Sequence, residues 1–524
     1  MNSEIVAALL NNLTLIIPEA ILGVTACILF LGSAFQPSRH LWAFVAVFGL
    51  VAAAAALVPA GFGSEHTRAE IFAAPLYVDR LAILVKWMAI LGGAILLLAS
   101  WNEVPDRQAG EYHGCLLLVV AGLCLTGSAN ELITLFLALE LISIPTYVVL
   151  YLPRLDNASQ EAAAKYFLLS IFSSAFLLFG FSYLYGLAGT TNIPALIDAL
   201  NQTRSAVQPP VRVPVPALAL GALVMMVVGL GFKITAVPFH FYAPDVYQGT
   251  PTVVAALLAY VPKVAGFVAL FRVLGFVLGG HAGNIPTAYG SQMPILLWIL
   301  AAVTMSLGNI LALLQNNLKR LLAYSSVAHA GYMLIGLAVA YNLSWQSSPG
   351  ELPPEGNPLP SIPLGVQALL FYLTAYGAMT VGAFGVIAYL STKERPVEVE
   401  DDLAGLGTSH PGIALLMAVF LFSLIGMPLT AGFAGKFWLF FSALSVKGDR
   451  AVQFYWLAAV GAINAAIGGW YYLRILSKMY LHSSVRPLGT SQSWPALMAV
   501  WVCAGLTLFL GMYPYPFVEF LGQR

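Results

Sequence analysis

VVGLGFKITAVPFHFYAPDVY, residues 227–247, starts as a membrane-spanning helix and cannot finish as one. It belongs to an apolar stretch, near 216–239, long enough to cross a hydrocarbon layer of about 30 Å. A charge enters at Lys233, and Pro238 and Pro244 follow it. Proline removes a backbone donor and clashes with the preceding turn, so the helical hydrogen-bond ladder is interrupted just past the lysine. In hydrocarbon, broken backbone is tolerated only where it is buried in protein or lines a polar cavity. This stretch therefore predicts a discontinuous helix with a charge held at membrane depth.

The rest of the chain agrees. Of its 524 residues 60% are hydrophobic and only 9% charged, where a soluble domain carries about a quarter charged residues. That much apolar surface cannot be hidden in a soluble fold, so an all-α integral membrane protein is expected. Net charge is zero, without a basic tail or stripe, which argues against nucleic acid as a partner. Cys27, Cys115, Cys124 and Cys503 all fall in apolar runs and form no C-x-x-C pair. They read as small core residues, not as a disulfide frame, metal site or iron–sulfur site. The N-terminus has no basic segment or cleavage site of a signal peptide, so the first span is expected to be retained.

Fourteen stretches are long and apolar enough to cross: near 13–35, 40–62, 77–100, 112–129, 131–152, 161–189, 216–239, 251–278, 293–315, 318–341, 362–391, 410–444, 455–480 and 494–521. The longer connections are 63–76, 190–215 and 342–361, so no room is left for a soluble catalytic domain. An even span number puts both termini on one side. With the termini outside, the inner loops hold Arg39, Arg107, Arg154, Lys319, Arg320, Lys393, Arg395, Lys478 and Arg486. The outer segments hold the smaller set Arg68, Arg204, Arg212, Lys447, Arg450 and Arg524, and this bias favours termini on the outer, periplasmic side.

A charge at the bilayer centre costs at least about 2.5–3.5 kcal/mol, so each one is a candidate functional residue. Glu140 lies in LFLALELISIPTYVV, Lys233 in the opening stretch, Lys263 in LLAYVPKVAGFVALF and Lys436 in LIGMPLTAGFAGKFWLFF. Each has a long apolar run on both sides. Lys165, in EAAAKYFLLSIFSSAF, lies a turn inside its span, where its head group can also reach the interface. His240 and His329 fit structural roles as well as functional ones. Lys86 and Glu19 lie near the edges of their spans and rank lower. Lysine suits proton transfer: burial disfavours a charged amine, a nearby carboxylate restores it, and a residue between the two exchanges its proton. Arginine does not deprotonate and would not serve.

The stretch 410–444 repeats the opening pattern, with Pro428, Gly432 and Gly435 ahead of Lys436. It would be about 52 Å long as one straight helix, too long for a single crossing, so a break or a strong tilt is expected. Interrupted spans at matching places in two halves are the mark of inverted-repeat transporters. The expected organisation is three N-terminal helices (1–110), two inverted five-helix repeats (111–280 and 281–485) with discontinuous helices 7 and 12, and a C-terminal helix (486–524). Accidental proline kinks are the alternative.

Three motifs carry a specific resemblance: GFKITAVPFHFYAPDVYQGTPT (231–252), LLQNNLKRLLAYSSVAHAGYMLIGL (313–337) and GMPLTAGFAGKFWLF (426–440). In this order they resemble the antiporter-like membrane subunits of respiratory complex I, NADH:quinone oxidoreductase, and of the multisubunit cation/proton antiporters. The IIPEAILG start, the AHAGY of the tenth span, Lys436 and the short C-terminus are similar to the N-type branch of that family. The resemblance implies a proton-translocating subunit. Glu140 and Lys233 would form the charge switch of a first half-channel, Lys263 the link, and Lys436 the centre of a second. Lys165, His240 and His329 would be provisional members. It also implies that NADH, FMN, iron–sulfur clusters and quinone are bound on partner subunits and no cofactor or metal on this chain. Partners would be the other membrane and peripheral subunits, including neighbouring antiporter-like ones, the lipid bilayer and the quinone pool, in a bacterial inner membrane. A subunit of a sodium/proton antiporter or membrane-bound hydrogenase is the alternative, and a scaffold whose charges merely pair is a third.

Overall fold

The computed structural model describes residues 15–60, 74–152, 156–196, 199, 217–278, 288–346, 364–392, 395–483, 489 and 493–522. Most of the loop residues of 63–76, 190–215 and 342–361 lie outside the described residues, as do Arg68, Arg154, Arg204, Arg212, Lys393, Arg486 and Arg524.

Helices carry the fold. They are α1 (Ile17–Ser33), α2 (Arg39–Ala60), α3 (Arg80–Ser100), α4 (Ala109–Ser128), α5 (Leu132–Tyr151), α6 (Asn157–Ala188), α7 (Ala217–Lys233), α8 (Ala243–Gly249) and α9 (Thr252–Leu278). The second half has α10 (Ala288–Leu313), α11 (Leu318–Gln346), α12 (Leu364–Leu390), α13 (Pro411–Ile425), α14 (Ala431–Leu444), α15 (Ala451–Leu481), α16 (Trp494–Met512) and α17 (Tyr515–Gly522). Among the described residues, eleven helices are long and apolar enough to cross a membrane, and four shorter apolar helices accompany them. The last expected span is divided: α16 ends at Met512 and α17 starts at Tyr515, because Pro514 and Pro516 cannot continue a helix.

Both expected breaks are present. α7 stops at Lys233 and α8 starts at Ala243, with Thr235 between them in the left-handed region (φ 58°). α13 stops at Ile425 and α14 starts at Ala431, with Gly426 (φ 95°) and Leu429 (φ 71°) in that region. A left-handed non-glycine residue is strained and persists only where surrounding packing dictates it.

The core is the triplet α9, α11 and α12, almost entirely buried along their apolar windows, whereas α6 and α15 expose most of theirs. α11 and α12 meet so closely at Gly336 and Gly365 that a Cβ on either would strike the other's backbone, the small-residue contact that membrane helices use in place of a hydrophobic drive. Two bridges of backbone hydrogen bonds tie helix pairs together in the same way. Glu131, before α5, bridges Asn192, after α6; Asn317, before α11, bridges Val399, after α12.

Candidate proton-path site

The first cluster forms around the α7 break. Lys233 is the last residue of α7, where the ladder ends and its backbone carbonyl is left without a helical partner. Its side chain is buried and Nζ donates to Ser143 Oγ at 2.7 Å. Ser143 lies one turn along α5 from Glu140, whose carboxylate accepts a short hydrogen bond from Ser174 of α6. Glu140 and Lys233 thus share the α5 face and interact through space. No direct ion pair within 4.0 Å joins them among the described residues, since each charge is held by its own serine. Tyr147 and Tyr166 meet edge-to-face beside them, ring centroids 5.8 Å apart.

The second cluster is a polar seam between α11 and α12. On α11, Ser326, His329 and Tyr332 recur every three residues; on α12, Tyr372, Tyr376 and Thr380 recur every four. At these spacings each set lies along one stripe. Lys263 of α9 stands at one end. It is fully buried, donates to the Ser326 carbonyl, and lies 5.5 Å from the centroid of the Tyr376 ring. His329 occupies the middle, its Nδ1 2.5 Å from Tyr372 Oη and its Nε2 3.2 Å from Tyr472 Oη. Lys436 stands at the far end, 5.0 Å from the centroid of the Tyr332 ring. Its Nζ donates to the carbonyls of Leu424 (2.8 Å) and Ile425 (3.0 Å), the last of α13. A cation is favoured there, because helix C-termini carry partial negative charge and unpaired carbonyls.

Tyr242 of the first break makes the matching bond, its hydroxyl donating to the Phe232 carbonyl at the end of α7. One break is therefore capped by a neutral phenol and the other by a lysine. A further network extends from Tyr332: Asn309 donates to Tyr332 Oη (3.1 Å) and to Asn464 Oδ1 (3.3 Å), and accepts from Tyr471 Oη (3.0 Å).

The remaining candidates are placed differently. Lys165 is not in the buried seam. Its side chain, 41% exposed, pairs with Glu161 (2.6 Å) and Asp245 (3.2 Å), and Asp245 also holds Arg320 at 2.6 Å. The start of α6 lies at the rim of the bundle, so the head group reaches polar surroundings. His240 lies half-buried in the first break, and its Nδ1 has no hydrogen-bond partner among the described residues. Lys86 and Glu19, ranked low for their place near span edges, are buried and paired at 2.9 Å. Edge position misleads there because neighbouring helices cover α3 on most sides. The tyrosine stripe of α12 was not singled out from the sequence. Its signal, tyrosine, tyrosine and threonine at i, i+4 and i+8 in an apolar span, was available.

Comparison with known proteins completes the description. The transmembrane family described as NADH:quinone oxidoreductase/Mrp antiporter matches residues 129–349 and 361–467. The chain is 36% identical over 521 residues to NADH-quinone oxidoreductase subunit N of Trichlorobacter lovleyi, covering 98% of this chain and 96% of that one. It is 38% identical over 493 residues to the subunit N of Desulfovibrio desulfuricans, covering 91% and 88%. Among solved structures it superimposes on a chain of respiratory complex I from Thermus thermophilus with bound aureothin, with TM-score 0.72, 30% identity, and 96% and 99% coverage.

Proposed function

The chain belongs to the NADH:quinone oxidoreductase/Mrp antiporter transmembrane family, and from that premise we propose how its buried charges carry protons. It is a multi-pass membrane subunit of a bacterial proton-pumping NADH:quinone oxidoreductase, of the subunit N type. Quinone reduction takes place on partner subunits, with NADH, FMN, iron–sulfur clusters and quinone bound there. The four cysteines of this chain form no C-x-x-C pair, which fits a subunit without a redox centre of its own. Both termini face outward, on the loop-charge bias.

Two five-helix units, 111–280 and 281–485, make up the transporting part. The equivalent bridges Glu131–Asn192 and Asn317–Val399, each followed by a broken helix, support this division. In the first unit Lys233 holds a proton on its ammonium group, stabilised by Ser143 and by the field of Glu140. Changing the distance between Glu140 and Lys233 changes how tightly that proton is held, because the Coulomb term falls with separation and is strong away from water. The proton passes to Lys263 and then along Ser326, Tyr376, His329 and Tyr372 towards Lys436. At Lys436 the α13 carbonyls favour the protonated form until the break is perturbed. Lys165 and His240 contribute to access to this path.

The observation that carries the reading is the buried row of polar side chains between Lys263 and Lys436 across the most enclosed helices. Its test is Lys233→Ala and Glu140→Ala in the assembled complex, with quinone reduction and proton movement measured together in vesicles. Pumping should fall sharply in both. Normal pumping by either variant would refute the charge switch.

A further inference from the structure

The connection between α13 and α14 holds a conformation that its own side chains do not explain. Leu429 adopts φ 71° there, yet its side chain is 70% exposed, so side-chain burial does not hold the left-handed backbone in place. What touches that backbone comes from the far end of the chain. Gly511, in the last turn of α16, lies so close that a Cβ on it would overlap the Leu429 carbonyl and the backbone of Thr430. The first break has a different support: its Val237 N–H donates to Thr304 Oγ1 of α10 at 3.1 Å.

Apolar side chains from the same two C-terminal helices reach α14 itself. Ala431, Ala434 and Trp438 lie along one stripe of α14. In one cluster with them are Leu510, beside Gly511 in α16, and Phe517 of α17. Phe371 of α12 links the two sides, its ring centroid 4.8 Å from that of Trp438 and 5.3 Å from that of Phe517. Lys436 follows Ala431 by five residues and precedes Trp438 by two. At 3.6 residues per turn this puts it across the helix from the stripe. There its Nζ donates to the Leu424 and Ile425 carbonyls. α14 has no slack towards α13 either. The Gly432 N–H donates to Ser423 Oγ at 3.0 Å, and a Cβ on Gly432 would overlap the Ser423 carbonyl. α14 starts at Ala431, the residue after Thr430. A shift of Leu429 and Thr430 is therefore passed on to Lys436, because close-packed interiors transmit strain.

We propose that the corner of α16 and α17 braces the second break, with Gly511 and Phe517 as positioning residues that set the Lys436 ammonium against the α13 carbonyls. The inference rests on the proton-path reading above and gives the C-terminal helices a part in it. Neither residue handles the proton. Gly511 acts by having no side chain, and Phe517 by filling the space against Phe371.

The test uses the assembled complex in vesicles carrying Gly511→Ala, Phe517→Ala or Phe517→Leu. Gly505→Ala is the control, the same change on the same helix where a Cβ meets no atom within 4 Å. Lys436→Ala is measured alongside. The amount of assembled complex, its thermal inactivation, the KM for quinone and the protons moved per quinone reduced are recorded. A methyl at Gly511 forces the Leu429–Thr430 backbone back by roughly 1 Å before ordinary contact is reached. Gly511→Ala should assemble and keep the parent's KM, yet move roughly tenfold fewer protons per quinone or worse, since a misplacement of about 1 Å can cost about 100-fold. Phe517→Ala should lose a similar share, Phe517→Leu should regain most of it, and Gly505→Ala should match the parent. If Gly511→Ala pumps like the parent while Lys436→Ala does not, the brace is wrong and the path stands. If Lys436→Ala also pumps normally, the path itself fails. A loss in Gly505→Ala equal to that in Gly511→Ala overturns the proposal, because the effect then belongs to α16 as a helix and not to this contact. Should Gly511→Ala impair assembly, the Phe517→Ala and Phe517→Leu pair decides: equal pumping by the two overturns the proposal.

Discussion

Lys86 Nζ lies 2.9 Å from Glu19 Oε1, with side chains 1% and 6% exposed, and it also donates to the Leu15 carbonyl at 2.9 Å. The pair ties the start of α1 to α3. Glu19 sits in the first turn of α1, where the helix end favours an anion. Burying two charges is expensive, and their attraction offsets that cost only while both remain.

Replacing one partner should therefore hurt more than replacing both. Lys86→Met leaves a buried carboxylate unpaired and is expected to cost about 3–5 kcal/mol, seen as lower yield and earlier thermal inactivation of the complex. Adding Glu19→Leu should recover most of that loss. A double variant as unstable as the single one would mean that the pair does more than neutralise itself.

Charge retention separates proton transfer from simple pairing at the seam. Lys263→Arg and Lys436→Arg keep a cation in place, but arginine does not deprotonate. Both variants should lose coupled quinone reduction about as completely as the alanine variants. Full activity in the arginine forms would reduce these lysines to structural cations.

Lys165 should behave otherwise. Its partners Glu161 and Asp245 are partly exposed as well, and exposed pairs contribute up to about 1 kcal/mol and are screened by salt. Lys165→Ala should lower pumping far less than Lys233→Ala, and the difference from the parent should shrink at high ionic strength. The measurement is a salt series of proton uptake with both variants.

The connection between α12 and α13 should respond to acid in two opposite ways. Lys478, 2.7 Å away, holds the Asp401 carboxyl below its usual value of 3.8 through a hydrogen bond and its charge. Burial raises the neighbouring Glu400 above 4.5, against the opposing pull of Arg474. A depressed carboxyl contributes stability that is present above its unfolded value and lost as pH falls through the folded one. A raised carboxyl contributes most below its unfolded value and loses that as pH rises through the folded one. Asp401→Asn should flatten the acid limb of the stability–pH curve below about pH 4, and Glu400→Gln should flatten the decline in stability as pH rises above it. Both are read from thermal inactivation across pH.

The breaks were legible in the sequence because helix breakers cluster there beside a buried lysine: Pro238 and Pro244 follow Lys233, and Pro428, Gly432 and Gly435 precede Lys436, whereas the single prolines Pro145, Pro262 and Pro294 stay inside helices. Glu140, Lys233, Lys263 and Lys436 were legible for a similar reason, since a charge with long apolar flanks has no route to water. Lys165 and Lys86 show the limit of that reasoning. One lies inside an apolar run yet emerges at the rim; the other lies near a span edge yet is enclosed. Distance from a span end along the chain does not say which helices stand alongside.

By itself the sequence determined the membrane class, the all-helical architecture, the two interruptions and the few charges that had to be held at depth. Each follows from the energy of placing single groups in hydrocarbon. Only the tertiary structure decided the partners: a serine for Lys233 in place of Glu140 itself, helix-end carbonyls for Lys436, Glu19 for Lys86, and facing stripes of serine, histidine and tyrosine between Lys263 and Lys436. Those partners come from different helices, and a hydrogen bond depends on how helices pack and turn against one another.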